Sequence, residues 1–268
     1  YTLDSDKLYF QRGSWVGKQL PPIPPFQGSN FGYASGGGAP SSTNVIDKFS
    51  LTSDANATDV GDLTVSRTAT AGQSSQTHGY TSGGASPPST SSNVIDKFTF
   101  TTDGDATDVG DLTVSRTTAA GQSSTTHGYT SGGSPGSNVI DRFPFTTDGD
   151  ATDVGDLTVS KYSIAGQSDV VNGFGYASGG LQSPAGIDKF PFSSDADATD
   201  IGNLSVARYS VSGQSSTTHG YTAGGYSAPL RLDTIDKFPF STDANATDVG
   251  NLTVSRSALS GGQSSTTH

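Results

Sequence analysis

The chain has 268 residues, of which 31% are apolar, and carries a formal net charge of −11 at pH 7, an acidity that disfavours binding to nucleic-acid phosphates or to an anionic membrane surface. It contains no Cys, so disulfides and thiolate metal sites are excluded, and no run of about 18 apolar residues that could span a bilayer. All 25 acidic residues are Asp, and Gly occurs 35 times. Because strong helix formers are scarce while turn formers are abundant, the composition predicts strands and tight turns.

Residues 1–30 are predicted to form an N-terminal attachment arm. Two aromatic-rich segments, 7–10 and 14–16, flank Gly13, a pattern typical of a short hairpin. A lone hairpin is only marginally stable in water, so its aromatic side chains are expected to contact a partner surface: Tyr9, Phe10 and Trp15. Residues 21–25, Pro-Pro-Ile-Pro-Pro, predict a stiff polyproline spacer. The start does not resemble a signal peptide, and the absence of Met indicates a processed or trimmed chain.

A five-fold repeat occupies residues 31–268 and is predicted to form the second domain. Its most regular part is an Ile-Asp-Lys/Arg-Phe core, whose Ile recurs in steps of 49, 45, 47 and 48 residues, at Ile46, Ile95, Ile140, Ile187 and Ile235. A fixed period in the forties is typical of propeller blades or of another stacked array. The sequence therefore predicts an all-β fold, a five-bladed β-propeller with four short strands in each repeat.

The second repeat shows the four predicted strands. The Gly-Tyr-Thr-Ser-Gly-Gly segment, 79–84, is predicted to be an inner strand, because its small residues suit close approach to neighbouring backbone. Segment 94–100 carries apolar residues on both faces, which indicates that both faces are covered. Segment 110–115 alternates apolar and polar residues, as a half-buried strand does. Segment 122–127 is predicted to be the fourth strand and leads into the next Gly-Tyr.

Two further patterns concern strand ends and ring closure. Pro stands inside the second strand of three repeats and predicts that the strand ends, bulges or lacks a partner there: Pro144, Pro191 and Pro239. Segment 263–268 repeats the strand that precedes Gly-Tyr elsewhere, whereas the first repeat lacks it. We therefore expect 263–268 to pair antiparallel with 32–37 and to close a five-bladed ring.

The repeat resembles the Kelch family. Tyr-Thr-Ser-Gly-Gly at 80–84 stands where Kelch repeats have a strand ending in Gly-Gly, Asn-Val-Ile-Asp-Lys-Phe at 93–98 where they have a strand ending in an aromatic residue, and Arg116 where they have an arginine. The sequence departs from the family at the Trp that follows the Asp-rich loop, because Val109 lies nearest that position. The resemblance implies a Kelch-like propeller with four-stranded blades.

The Asp-rich loop of each repeat is the strongest metal candidate. It spaces carboxylates as a calcium loop does, and in the second and third repeats these are Asp103, Asp105, Asp108, Asp148, Asp150 and Asp153. The alternative is a turn pinned by Asp and Thr side chains that bond to backbone amides. The loop has no Gly at the sharp-turn position of an EF-hand and no closing Glu, so the structural turn is the preferred interpretation. No other cofactor is predicted.

Other recurrent polar residues admit a functional and a structural interpretation. The recurring His either binds metal or serves as a turn residue: His78, His127, His219 and His268. The recurring Arg or Lys either pairs with the strand Asp or a carbonyl, or forms an anion-binding rim: Arg67, Arg116, Lys161, Arg208 and Arg256. Ser and His occur together, but no nucleophile elbow surrounds them, and Glu, a common glycosidase acid, is absent. No catalytic residue is predicted, and the chain is expected not to be an enzyme.

The leader pattern Lys-Leu-Tyr-Phe-x-x-Gly-x-Trp at 7–15 and the degenerate repeats resemble virion proteins of marine bacteriophages, of tail or fibre type. This resemblance implies a structural or adhesive virion component, extracellular and homo-oligomeric within an assembly, whose arm contacts other virion subunits and whose propeller meets a host-surface glycan or protein. The alternative is a free carbohydrate- or protein-binding propeller. The loops that break the repeat symmetry are the predicted binding candidates: 85–92, 134–137, 181–185 and 226–233.

Overall fold

A computed structural model describes residues 9–11, 14–16, 29–38 and 41–257. Within these ranges the chain forms strands and turns but no helix, and hence no helix that could cross a membrane. Its small antiparallel sheets are arranged in a ring as the blades of a five-bladed β-propeller. The predicted fold class is therefore confirmed.

The strands follow one another blade by blade. An N-terminal hairpin joins β1 (Tyr9–Gln11) and β2 (Ser14–Val16), and it pairs Phe10 with Trp15. Blade one contains β3 (Phe31–Ser35), β4 (Val45–Ser50) and β5 (Thr58–Asp62). Blade two contains β6 (Ala71–Ser74), β7 (His78–Ser82), the small hairpin β8 (Ala85–Ser86) and β9 (Thr90–Ser91), then β10 (Val94–Thr99) and β11 (Thr107–Asp111).

Blades three to five repeat this order. Blade three contains β12 (Ala120–Ser123), β13 (His127–Ser131), β14 (Val139–Pro144) and β15 (Thr152–Asp156). Blade four contains β16 (Ala165–Asp169), β17 (Phe174–Ser178), β18 (Gly186–Pro191) and β19 (Thr199–Asn203). Blade five contains β20 (Ser212–Ser215), β21 (His219–Ala223), the hairpin β22 (Tyr226–Ser227) and β23 (Leu230–Arg231), then β24 (Thr234–Pro239) and β25 (Thr247–Asn251).

The innermost strand differs from the predicted one. The Ala/Ser-Gly-Gln-Ser strands β6, β12, β16 and β20 lie beside one another at the centre, and the Gly-Tyr strand is second in each of these sheets. A Cβ added at Gly121 of β12 would lie 2.9 Å from the carbonyl carbon of Gly72 in β6, so neighbouring backbones approach each other closely here. The Gly of the Gly-Tyr strand serves another purpose, because a Cβ at Gly128 would meet the ring of Phe143 in the same blade.

The outer strand also lies earlier in the chain than predicted. In blade two it is Thr107–Asp111 rather than 110–115, and its ladder with β10 is interrupted by a bulge. Beyond it, the backbone N–H of Thr113 donates to Asp141 of blade three over 3.0 Å, which draws the chain away from its own sheet. Leu112 in this segment is buried, whereas Val114 is exposed.

Two other strand-end predictions concern turns. The strands that contain Pro end at it, at Pro144, Pro191 and Pro239, as predicted. The predicted fourth strand is shorter, because Ser124 Oγ accepts the backbone N–H groups of Thr126 and His127 and forms a turn. His127 therefore begins β13 and does not end β12.

The hydrophobic core consists of layers between successive blades. Between blades two and three, Tyr80 packs on Phe143 and stacks on Phe145 with ring centroids 4.9 Å apart. Buried Ile95 and Leu112 belong to the same cluster. Each blade thus lacks a core of its own and is stabilised by its neighbours, as repeat architectures require.

Blade one has three described strands, and β3 has a described partner only on its β4 side. The predicted partner of its other edge, 263–268, lies outside the described residues, so closure by that strand stays a prediction. The hairpin of the arm forms at the predicted place, while the Pro-rich spacer at 21–25 also lies outside the described residues.

Candidate binding surface

The antiparallel blades give the propeller two ends. One end, which we call the Asp end, holds the turns between the first and second strands and the Asp-rich loops between the third and outer strands. The opposite end, which we call the variable end, holds the loops between the second and third strands, whose lengths differ between blades. The variable end also holds the links from each outer strand to the next blade, because strand direction alternates within each sheet.

At the Asp end, each carboxylate of the Asp-rich loop of blade two has a protein partner. Asp103 of blade two pairs with Lys48 of blade one over 2.8 Å. Asp105 accepts the backbone N–H of Asp62 in blade one over 3.0 Å, and Asp108 accepts that of Gly110 over 3.1 Å. The loop therefore caps the outer strand of the preceding blade and pins its own turn.

The third-blade loop repeats these bonds with blade two. Asp148 pairs with Lys97, Asp150 accepts the backbone N–H of Asp111, and Asp153 accepts that of Gly155. Within the described ranges no group of three or more His or Asp side chains is close enough to hold a metal ion. The geometry supports the structural interpretation, in which these oxygens are already engaged by amines and amides.

We predict that calcium contributes nothing to stability. The melting temperature of the purified chain should be the same, within about 1 °C, with excess EDTA and with millimolar CaCl2, because a ligand that binds only the folded state would raise it by mass action. Differential scanning calorimetry measures this directly. A rise of several degrees with CaCl2 that is reversed by EDTA would contradict the prediction and restore the calcium loop, and MgCl2 is the matched control.

The recurring His residues lie at the same end, in turns. The Nδ1 atoms of His78, His127 and His219 each lie 2.8 Å from the hydroxyl of the preceding Thr. Burial lowers the pKa of all three imidazoles, and a neighbouring Lys or Arg lowers it further. His268 lies outside the described residues. Both effects favour the neutral imidazole, and His78, His127 and His219 are turn residues in this arrangement.

The recurring Arg or Lys pairs with the strand Asp of the next blade, not of its own repeat. Arg116 Nη2 lies 2.6 Å from Asp141 Oδ2, and both side chains are fully buried. Burial lowers the pKa of the guanidinium and raises that of the carboxyl, while each charge opposes the shift of the other. Four such pairs join the five blades: Arg67–Asp96, Arg116–Asp141, Lys161–Asp188 and Arg208–Asp236. These cations are inaccessible to an external anion, so they form no anion-binding rim.

The variable end is the surface on which the blades differ. Isolated bridges join each of its loops to the link that arrives from the preceding blade: Thr68–Ala85, Thr117–Ser134, Tyr162–Leu181 and Tyr209–Tyr226. Tyr209 and Tyr226 meet edge to face at 5.4 Å, and the side chain of Leu230 beside them is 63% exposed. At the Asp end the described turns and loops are similar from blade to blade except for the blade-four turn, 170–173, whereas at the variable end every loop differs in length or composition.

A shallow cleft opens at the variable end between blades one and two. It has a volume of about 320 Å³ and is lined by Ser41, Ser42, Thr68, Ala85, Ser86, Pro87, Pro88 and Ser89. Its walls offer hydroxyl groups and apolar proline rings and carry no charge. The arrangement suits weak binding of a neutral polar ligand more than acid–base chemistry, which needs a titratable group at the reacting atom.

The sequence identified the recurrent charged residues but not the blade in which each of them finds its partner. It identified the Arg–Asp pairs, yet only the structure shows that they cross from one blade to the next. It also missed the links 68, 117, 162 and 209 as part of the variable end, because nothing in the sequence places them beside the loops of the next blade. The chain matches no protein-family model and no curated protein.

Proposed function

We propose that this protein is a non-enzymatic structural and adhesive component of a virion, of phage tail or fibre type, and is therefore extracellular. One observation carries the proposal: the recurrent charged residues are used between blades, whereas most of the loops that differ between blades lie together at the variable end. A scaffold that fixes its own assembly and varies only one surface is suited to binding, since loops held by a rigid scaffold are where binding residues concentrate.

The recurrent Ser and His support a non-enzymatic role. Ser75 Oγ accepts the backbone N–H groups of Thr77 and His78, and it lies 3.3 Å from the carbonyl oxygen of His78. The imidazole of His78 faces Thr77, so the serine hydroxyl is not paired with the ring as a nucleophile is with its base. The Asp carboxylates of the same end are engaged in caps and ion pairs.

The variable end suggests what the protein binds. Half-buried tyrosine rings, an exposed leucine and a cleft of serine hydroxyls give the stacking faces and hydrogen-bonding groups that a neutral glycan or a polar protein loop would use. We propose that this end contacts a host-surface glycan or protein, while Tyr9, Phe10 and Trp15 of the arm contact neighbouring virion subunits. A free carbohydrate-binding propeller would use the same end and have no such subunit contact.

Immunogold electron microscopy tests the virion location. Antibodies raised against the purified chain should label intact particles prepared from cultures that express it. Labelling confined to the particle-free supernatant would overturn the virion proposal and favour the free propeller.

A pair of matched variants tests the binding surface. The double substitution Tyr226→Ser/Leu230→Ser should reduce binding of the labelled chain to host cell envelopes at least tenfold, because it removes the stacking face and the exposed apolar side chain. The control Val171→Ser changes a side chain that is 48% exposed in a turn at the Asp end and should leave binding unchanged. Equal loss in both variants, or in neither, would contradict the assignment.

A further inference from the structure

The same set of contacts recurs between every two successive blades. Each blade contributes one group of residues to the contact with the next blade and a different group to the contact with the preceding blade. The side that meets the next blade, which we call the leading face, presents Tyr and Arg or Lys. The side that meets the preceding blade, which we call the trailing face, presents Phe and Asp. Blades two and three show the pattern, with Tyr80 on Phe145 and Arg116 on Asp141.

The four interfaces are nearly identical in geometry. The buried ion pairs measure 2.5, 2.6, 3.1 and 2.9 Å along the chain. The stacked Tyr–Phe rings have centroids 4.9, 4.9, 4.6 and 4.9 Å apart and interplanar angles of 24, 24, 25 and 18°. The leading faces of blades one to four and the trailing faces of blades two to five therefore share one geometry.

The leading face of blade five has no partner of this kind among the described residues. Arg256 is exposed, whereas its four counterparts are fully buried. Tyr221 and Leu252 are partly exposed, and Val249 is 46% exposed where Ile201 of blade four is 9% exposed. This face therefore presents an unpaired cation in the middle of an apolar surface.

The trailing face of blade one presents the complement. Asp47 occupies the position of Asp96, Asp141, Asp188 and Asp236, yet no described ion pair or hydrogen bond engages its carboxylate. Phe49 is 38% exposed, whereas its counterpart Phe98 is 7% exposed. A second pair of opposite charges lies at the Asp end. In the first internal interface Lys48 of blade one pairs with Asp103 of blade two. The equivalent residues of the two unpaired faces are Lys237 of blade five and Asp54 of blade one.

We propose that these two faces bind each other between two copies of the chain, head to tail, with Arg256 of one copy on Asp47 of the next. Blade one has Leu51, which is 42% exposed, at the position of the stacking Phe, so the contact keeps the ion pair and the apolar packing of the internal interfaces but replaces the Tyr–Phe stack by Tyr221 on Leu51. Within the described chain the two faces do not contact each other, because Arg256, Phe49 and Val249 are exposed. The contact is heterologous, so it continues until the copies close into a ring or extend as a filament.

Charge reversal tests the proposal with the whole chain, 1–268. By sedimentation velocity, the wild type should show species heavier than the monomer whose share rises with concentration. Arg256→Asp and Asp47→Arg should each abolish them, because like charges then face each other in a desolvated contact. An equimolar mixture of the two variants should restore heavier species, since each supplies the face that the other has lost.

Arg231→Asp is the matched control, because it reverses an exposed charge at the variable end and should leave association unchanged. Thermal melting of the isolated variants should match that of the wild type, because neither residue has a described ion pair. A wild type that stays monomeric at every concentration overturns the proposal. If both variants then melt at a lower temperature than the wild type, the two faces contact each other within one chain and close the ring. Association that survives either reversal, or that the mixture fails to restore, overturns it as well.

Discussion

Substitution of Asp141 by Ala should lower the free energy of unfolding by about 3–5 kcal/mol, the usual cost of leaving a buried charge without its partner. The carboxylate accepts bonds from Arg116 over 2.6 Å and from the backbone and hydroxyl of Thr113 over 3.0 and 2.6 Å. The guanidinium cannot escape to water, because it is fully buried and also donates to the carbonyl oxygens of Thr130 and Val139 over 2.9 Å.

Urea unfolding of three variants separates the cost of leaving a buried charge unpaired from the cost of losing an exposed ion pair. Asp148→Ala removes another carboxylate that pairs with a cation across the same two blades, but Asp148 is 59% exposed, so its loss should cost at most about 1 kcal/mol. The double variant Arg116→Met/Asp141→Leu should be more stable than Asp141→Ala, because it leaves no unpaired charge. Equal losses for Asp141→Ala and Asp148→Ala would show that burial of the pair has no energetic role.

Substitution of Gly110 by Ala should destabilise the protein by about 3 kcal/mol, since overpacking and a strained backbone each cost about 1–3 kcal/mol. Gly110 has φ +148°, a conformation that L side chains rarely adopt. A Cβ there would lie 2.5 Å from the carbonyl carbon of Gly149 and 2.8 Å from the backbone nitrogen of Asp150, both in the next blade. Backbone atoms cannot turn aside as a flexible side chain does.

The other partner of this contact supplies the matched control. A Cβ at Gly149 would point into open space, and the equivalent positions in blades four and five are occupied by Ala196 and Ala244. Gly149→Ala should therefore change stability by less than about 1 kcal/mol, and in the stabilising direction if it restricts the unfolded chain. Melting temperatures of the two variants, measured under the same conditions, test this difference in stability. A larger loss for Gly149→Ala than for Gly110→Ala would contradict the close approach of blades two and three.

The sequence by itself determined the number of blades and the all-β class of this protein. The spacing of Ile46, Ile95, Ile140, Ile187 and Ile235 defined the repeat, and Pro indicated where the second predicted strand ends in three of the blades. These features are local, because turn chemistry and strand alternation act over a few residues. For the same reason the ends of the strands at Pro144, Pro191 and Pro239 were predicted correctly.

Only the tertiary structure decided the order of strands within a blade and the use of the recurrent charges. Gly121 and Gly128 are both small residues in strand-like surroundings, and only the packing shows that one approaches a neighbouring backbone while the other makes room for Phe143. The sequence paired Arg116 with a strand Asp, but every repeat offers an equivalent Asp. The choice of Asp141 in the next blade depends on how the sheets stack, which is a contact between distant residues and leaves no local signal.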